Sequence, residues 1–260
     1  MFRHDKSSIH NFFRGKKMLV KNESNSQHWY DKNGKPAYTT IGKNGKERAT
    51  TVRDAREHGY LPSVTTIIGL LDKPALTRWK MEQMLLASLT LPRLENEPEV
   101  DYIARVVEDS RSTGKDAMNR GTQMHDQLEL FFSGVYMIEY PQFVLRTEKV
   151  ITEFFGQQEW KSEKSFAHNG FAGKCDLHSQ NIVVDFKTKT DSLDKATVYA
   201  EHMMQLAAYR EGFGMPNARC AIVFVNDTET KVCEVEEADL QKSYKKFTLL
   251  KEFFYIDKGL

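Results

Sequence analysis

The residues best equipped for chemistry lie in one stretch, Gly170-Phe-Ala-Gly-Lys-Cys-Asp-Leu-His-Ser-Gln-Asn-Ile-Val-Val-Asp-Phe-Lys-Thr-Lys189. Two β-like runs meet here, one ending at Asp176-Leu177 and the other running from Ile182 to Lys187, with a tight turn expected at Ser179-Gln180-Asn181. Strand side chains alternate between faces, so Asp185 and Lys187 point one way while Val184 and Phe186 point the other. A carboxylate and an ammonium are thereby displayed together at the end of an otherwise apolar strand. Asp176, on the neighbouring strand, can lie beside Asp185. Two close carboxylates repel unless positive charge sits between them, and a divalent cation held by oxygen ligands supplies it. An edge-strand salt bridge between Asp185 and Lys187 is the alternative that this stretch leaves open.

Two helical segments carry further chemistry. Residues 113–133 read as a helix in which Met118, Gly121, His125, Leu128 and Phe132 share one stripe. His125 therefore sits within an apolar face, where a core histidine and a ligand are both open readings. Glu129, four residues on, is placed to orient the imidazole or to face solvent. A mid-helix glycine costs about 1 kcal/mol against alanine, so Gly121 is expected to admit a close neighbour. Residues 194–213 read as a second helix, with Glu201, Gln205 and Tyr209 on one face and Leu206, Ala207 and Phe213 on the buried side. The apolar residues flanking Gln205 argue against a simply solvated surface.

These pieces need a scaffold. The chain has 260 residues, 40% of them hydrophobic, with a formal net charge of +1. That is enough for a sizeable core, and it excludes a global basic field; nucleic-acid binding would need local patches. Cys175, Cys220 and Cys233 are far apart and contain no Cys-x-x-Cys, against a zinc ribbon or disulfide scaffold and consistent with a reducing, intracellular compartment. No apolar run approaches a membrane span and the polar N-terminus lacks a signal-peptide core. Residues 1–27 read as a loosely held polar segment with an apolar patch at Phe12-Phe13. Residues 28–52, with Asn33-Gly34 and Asn44-Gly45, read as a β-hairpin or meander. Ser63 is the expected N-cap of a helix interrupted at Asp72-Lys73-Pro74, and a second helix starts at Pro74 with Leu76, Trp79, Met84 and Leu85. Helices are expected at 98–110, 140–155 and 237–255, and strands at 158–167, 170–178, 181–187, 219–226 and 229–235. From residue 113 the order is helix, three strands, helix, two strands, helix, which implies an α/β unit.

On these residues the chain resembles the PD-(D/E)XK nuclease superfamily, in its RecB-like exonuclease branch, which includes phage exonucleases and the mitochondrial genome-maintenance exonuclease. Gly121-Thr-Gln-Met-His125 resembles the branch's Gly-x-x-x-His helix motif, Gly173-Lys-Cys-Asp176 its Gly-x-x-Asp, Asp185-Phe-Lys187 the D-x-K signature and Gln205-Leu-Ala-Ala-Tyr209 its Gln-x-x-x-Tyr. A lone D-x-K is weak evidence; four motifs in order on matching elements are strong. Pro62-Ser-Val-Thr-Thr66 with Asp72-Lys-Pro74 adds to the likeness, which spans about residues 60–225. Cys175 stands where the superfamily name would put proline.

The resemblance implies an α/β restriction-endonuclease-like core, a central mixed β-sheet flanked by helices, over residues 111–260, with residues 1–110 an N-terminal β-hairpin and helices packed on it. It implies a metal-dependent DNA exonuclease, phage-encoded and acting in recombination, repair or degradation in the host cytoplasm. Alternatives are a structure-specific or nicking endonuclease and a catalytically silent nucleic-acid-binding protein. Asp176 and Asp185 would hold Mg²⁺ or Mn²⁺ with His125 and the Phe186 backbone carbonyl, and no iron–sulfur cluster is expected. Lys187 would handle the attacking water or offset transition-state charge, with Gln205 and Tyr209 orienting the lysine side or the DNA strand. Glu129 and Glu163 are supporting candidates around that site. The partner would be DNA, single-stranded or a duplex end, with no membrane and an oligomeric state left open. Arg111, Lys115, Arg120, Lys189 and Lys195 are candidate phosphate contacts, each equally readable as a solvated charge. Trp79, Phe171 and Tyr199 are candidate base-stacking residues if single strands bind, although such residues are more often simply core.

Overall fold

The computed structural model describes residues 27–135 and 139–260. Residues 1–26, including the Phe12-Phe13 patch, lie outside the described residues. The N-terminal part opens with β1 (Trp29–Tyr30), β2 (Thr39–Ile41), β3 (Glu47–Ala49), α1 (Val52–His58), β4 (Leu61–Pro62) and α2 (Val64–Ile68). β2 and β3 form the hairpin expected from Asn44-Gly45, while β1 pairs with the more distant β4. The sequence reading passed over α1. Its start is a capping box: Thr51 accepts from the Asp54 backbone N–H and Asp54 accepts from that of Thr51. Its end is Gly59 in the left-handed region. Ser63 caps α2 by accepting from Thr66 N–H at 2.9 Å, as expected.

Next come α3 (Pro74–Thr90) and α4 (Glu99–Phe132). Two helices were expected at 98–110 and 113–133, and the structure corrects this to one helix of 34 residues. The polar Ser110–Gly114 segment does not break it, because Ser110 and Ser112 return their hydroxyls to the Val107 and Asp109 carbonyls of the same helix. The expected apolar stripe is also corrected: Met118 is exposed, and the buried side of this half of the helix is Met124 and Leu128.

The remainder is α5 (Gln142–Phe155), β5 (Lys161–His168), β6 (Phe171–His178), β7 (Ile182–Thr188), a 3-10 turn (Leu193–Lys195), α6 (Ala200–Gly212), β8 (Arg219–Val225), β9 (Thr230–Val235) and α7 (Glu237–Lys258). α6 starts six residues later than the expected 194, after the 3-10 turn. The five strands form one mixed sheet in the order β5-β6-β7-β8-β9. Only β7 and β8 are parallel, and the chain between them crosses over through the 3-10 turn and α6. The fold is thus the expected α/β architecture, a central mixed sheet flanked by helices.

Two apolar layers hold the sheet. On one face α4 and α5 bring Met124, Leu128, Val144 and Ile151 against Leu177, Ile182, Val184, Phe186, Val223 and Val225. On the other, α2, α6 and α7 bring Ile67, Leu206, Ala207, Leu240, Phe247 and Phe254 against Phe171, Cys175, Val183, Cys220, Ile222 and Phe224. β8 feeds both layers alternately, as a strand buried on both faces does. Trp29 is fully buried in the second layer, so the N-terminal strands share this core. Among the described residues no helix is long and apolar enough to cross a membrane.

Asp54 also ties α1 to β3, since both Arg48 guanidinium nitrogens donate to its carboxylate at 2.7 Å. Those donors, with Thr51, hold the Asp54 carboxyl well below the usual carboxylate range. A depressed folded-state pKa gives stability that is present above the unfolded value of roughly 3.9 and lost as pH falls through the folded value. Asp54→Ala should therefore destabilise the fold by about 1–2 kcal/mol at neutral pH. The gap from wild type in urea melts should narrow as pH drops below about 4.

Candidate active site

The site lies where β6 and β7 part. Their ladder holds at Leu177↔Val184 and His178↔Val183 and goes no further. Continuing it would set Asp176 directly opposite Asp185, a like-charge pair that destabilises a sheet. Instead the Phe186 N–H donates to Asp176 Oδ2 at 2.8 Å, so the carboxylate takes the place of a strand carbonyl.

The pleat reverses at the same level. In a regular strand, residues two apart share a face, yet Cys175 packs in the α6 layer and Leu177 in the α4 layer. β5 does likewise: Ser162 bonds Ser133 at the end of α4, whereas Lys164 lies over Phe213 beyond α6. Between them Glu163 adopts φ +52°, and Glu163 and Asp176 drop out of an otherwise continuous β5–β6 register. The Glu163 carboxylate pairs with Lys174. Because of the reversal, Asp176 turns toward α4 while Asp185, on the undisturbed β7, faces α6.

On the α6 side, Gln205 is the hub. Its Nε2 donates to Asp185 Oδ1 at 2.7 Å and to the Tyr209 hydroxyl at 3.0 Å, and its Oε1 accepts from Lys187 Nζ at 3.1 Å. Lys187 Nζ also stands 2.6 Å from Asp185 Oδ2, an ion pair that closes the network on that side. Asp185 is 1% exposed, and burial raises its pKa against the pull of Lys187. Burial opposes the Lys187 ammonium, but Asp185 and Asp176 together outweigh it and raise the lysine pKa. Burial also pushes the Tyr209 phenol well up, which keeps it neutral. The whole length of α6 from Met204 to Arg210 is buried, so the expected polar face is an interior network.

On the α4 side, His125 Nδ1 lies 3.6 Å from Asp176 Oδ2, and the ring meets the edge of Phe186 at 6.2 Å between centroids. Gly121 makes this approach possible: a Cβ there would stand 2.9 Å from Thr188 Oγ1. Gly173 does the same for α6, where a Cβ would meet Tyr209 Cε1 at 2.9 Å. Glu129 is half-buried one turn beyond His125, with no hydrogen bond between their side chains. Among the described residues no group of three His, Cys, Asp or Glu side chains forms a cluster able to hold a metal ion. The acids stand as two partnered sets, Asp176 with His125 and Asp185 with Lys187 and Gln205.

The candidate cations are dispersed. Lys115 pairs with Glu108, and Arg120 pairs with Asp227 at the rim of a cavity of about 700 Å³ with Met124 and Gln127. Arg111 is on the same helix, and Lys195 is exposed at the end of the 3-10 turn. Lys189 instead lines one cavity with Lys187, its ammonium 5.9 Å from the ring centres of both Tyr199 and Phe224. Phe171 is core, Trp79 is half-buried beside Gly114, and Tyr199 is exposed. Sequence reasoning missed Lys73 and His202, which share a cavity with Lys187. His202 followed Glu201 on a helix already singled out, but Lys73 reaches the site only through the packing of α2.

Neither a family model nor a curated protein matches the chain. Solved structures similar to it include exonucleases. An alkaline exonuclease from Laribacter hongkongensis is 12% identical, with 70% of this chain and 98% of that one covered and a TM-score of 0.32. The same enzyme in complex with dAMP is also 12% identical, over 68% of this chain and 91% of that one, with a TM-score of 0.32. A phage related exonuclease from Haemophilus somnus 129PT is 13% identical, over 65% and 91%, with a TM-score of 0.29. At these TM-scores the likeness adds nothing to the site geometry, which stands on the side chains themselves.

Two outcomes test that geometry. Gly121→Ala gains helix propensity, yet the collision with Thr188 should make it net destabilising by about 1–3 kcal/mol. Thr188→Ala in the same chain should restore stability, read as a coupling in a double-mutant cycle by urea denaturation. At Glu163, glycine accepts the left-handed backbone freely whereas a β-branched side chain resists it. Glu163→Val should therefore melt lower by roughly 1–3 kcal/mol, while Glu163→Gly stays near or above wild type. Equal losses for the two would remove the pivot role.

Proposed function

We propose that this chain is a divalent-metal-dependent DNA exonuclease that hydrolyses phosphodiester bonds at the parting of β6 and β7. The observation that carries the reading is the convergence of Asp185, Lys187, Gln205 and Tyr209 into one buried network, with Asp176 and His125 against the same strand end. A structural ion pair has no need of a second carboxylate.

By type the donors suit Mg²⁺ or Mn²⁺: Asp176, Asp185 and the Phe186 carbonyl are hard oxygen ligands and the His125 imidazole favours Mn²⁺, and a bound ion would have to draw the two partnered sets together. Asp185 Oδ2, whose partner is the Lys187 ammonium at 2.6 Å, would share its charge with such an ion. When bound, the cation supplies Lewis-acid polarisation of the phosphate. The protein's own groups do the rest. Lys187 places an ammonium beside the reacting phosphate and offsets its growing charge. Gln205 fixes both Asp185 and Lys187, so their relative position is set before substrate arrives. Tyr209 holds the far side of Gln205, and α4 delivers His125 to Asp176.

End-labelled linear DNA incubated with Mg²⁺ or Mn²⁺ should be shortened from its ends, and sealed circular DNA should survive. Asp185→Asn should abolish cleavage, and Lys187→Ala should slow it by roughly 10²–10⁴-fold. Calorimetric titration with Mn²⁺ should show binding to wild type that Asp176→Asn weakens. Wild-type protein that cleaves no DNA with either ion would end the enzyme reading, and cleavage of circles would replace exo- with endonuclease.

A further inference from the structure

We propose that the trough leading outward from Lys187 is a subsite for one unstacked nucleotide of a single DNA strand, with Tyr199 as the platform for its base. This deepens the nuclease reading and rests on it.

Two cavities meet at Lys73, Lys187, Glu201 and His202. The inner one, of about 320 Å³, reaches Gln205 and so touches the reactive network. The outer one, of about 400 Å³, opens past Lys189 and Tyr199 toward Pro74 and Leu76. Both fall within the roughly 300–1,000 Å³ of small-ligand sites. A strand whose scissile phosphate lies at Lys187 has this trough as a continuous path for its neighbouring nucleotide.

The lining matches the parts of a nucleotide. Lys73 and Lys189 offer ammonium groups to a phosphate beside Asp72 and Glu201, while the Lys187 ammonium is already paired with Asp185. Tyr199 is 50% exposed although it begins a largely buried helix. Its position is fixed rather than loose: its backbone N–H donates to His202 Nδ1 at 3.3 Å, and the two rings meet edge to face at 5.4 Å. Lys189 stands 5.9 Å from the ring centre, adding a cation beside the aromatic surface. Burial and the Lys187 ammonium push His202 down to about 4, so it enters the trough as a neutral ring. An exposed, braced aromatic next to ammonium groups is the arrangement that binds single strands, because every base has a face to stack. Within a duplex the bases are already stacked on one another, and only the terminal pair leaves a face for the ring.

The test is fluorescence anisotropy in EDTA, with a labelled oligodeoxythymidylate and a blunt duplex of equal length. Tyr199→Ala and the bulkier Tyr199→Leu should weaken single-strand binding by roughly tenfold, leaving duplex binding within about twofold. Tyr199→Phe should bind as wild type does. Unchanged single-strand binding, equal losses on both DNAs, or a Phe variant as weak as the Ala variant would overturn the proposal, with thermal melts confirming the fold. The same variants in Mg²⁺ separate the two claims. Wild type without cleavage fails the nuclease reading while the binding data still decide the subsite. Active wild type whose KM for single strands is untouched by Tyr199→Ala fails the subsite alone.

Discussion

The site depends on a backbone event, the reversal of the pleat at Glu163 and Asp176. A regular antiparallel sheet would set Asp176 and Asp185 side by side on one face, where their charges repel. The reversal sends Asp176 to the α4 side and leaves Asp185 on the α6 side, and the Phe186 N–H takes up the displaced carboxylate. The cost is a left-handed backbone at a non-glycine residue and one missing ladder pair, Glu163 with Asp176, of order 1–3 kcal/mol for such a strained position. The rest of the sheet is regular enough to hold it: β7 pairs with β8 along its whole length, and β8 is buried throughout its centre.

Given that pivot, the helices have fixed tasks. α4 must come close enough for His125 to meet Asp176, which Gly121 permits by leaving room for Thr188. α6 must bury Gln205 and Tyr209 against the strand end, and Gly173 leaves room for the tyrosine ring. The glycines of the two motifs thus serve the same purpose on opposite faces of the sheet. Without that room, one half of the site would stand off from the other.

The electrostatics follow from burial. An isolated carboxylate as deep as Asp185 would be too costly to keep ionised, and a buried amide alone would leave its own donors unmet. Asp185, Lys187, Gln205 and Tyr209 solve this together, each supplying what another lacks. Asp185 Oδ2 is met by the Lys187 ammonium at 2.6 Å, and that lysine also lines the cavity shared with Lys73 and His202.

Much of this was legible in the sequence, for physical reasons. Strand alternation put Asp185 and Lys187 on one face of β7, helical spacing put Gln205 and Tyr209 together, and mid-helix Gly121 marked a close approach, because all three follow from local periodicity. The order of helices and strands predicted the mixed sheet. Local periodicity also set the errors. It gave no warning that 98–110 and 113–133 would fuse, since serines can satisfy themselves within a helix as readily as end one. It placed Met118 with His125 because spacing alone does not say where the partner layer stops. The pleat reversal, the different partners of the two acids and the sharing of one cavity by Lys73 and Lys187 were decided only by tertiary structure. Each depends on which distant elements pack against a strand and how closely, and a single sequence encodes that jointly across the whole core rather than at any one position.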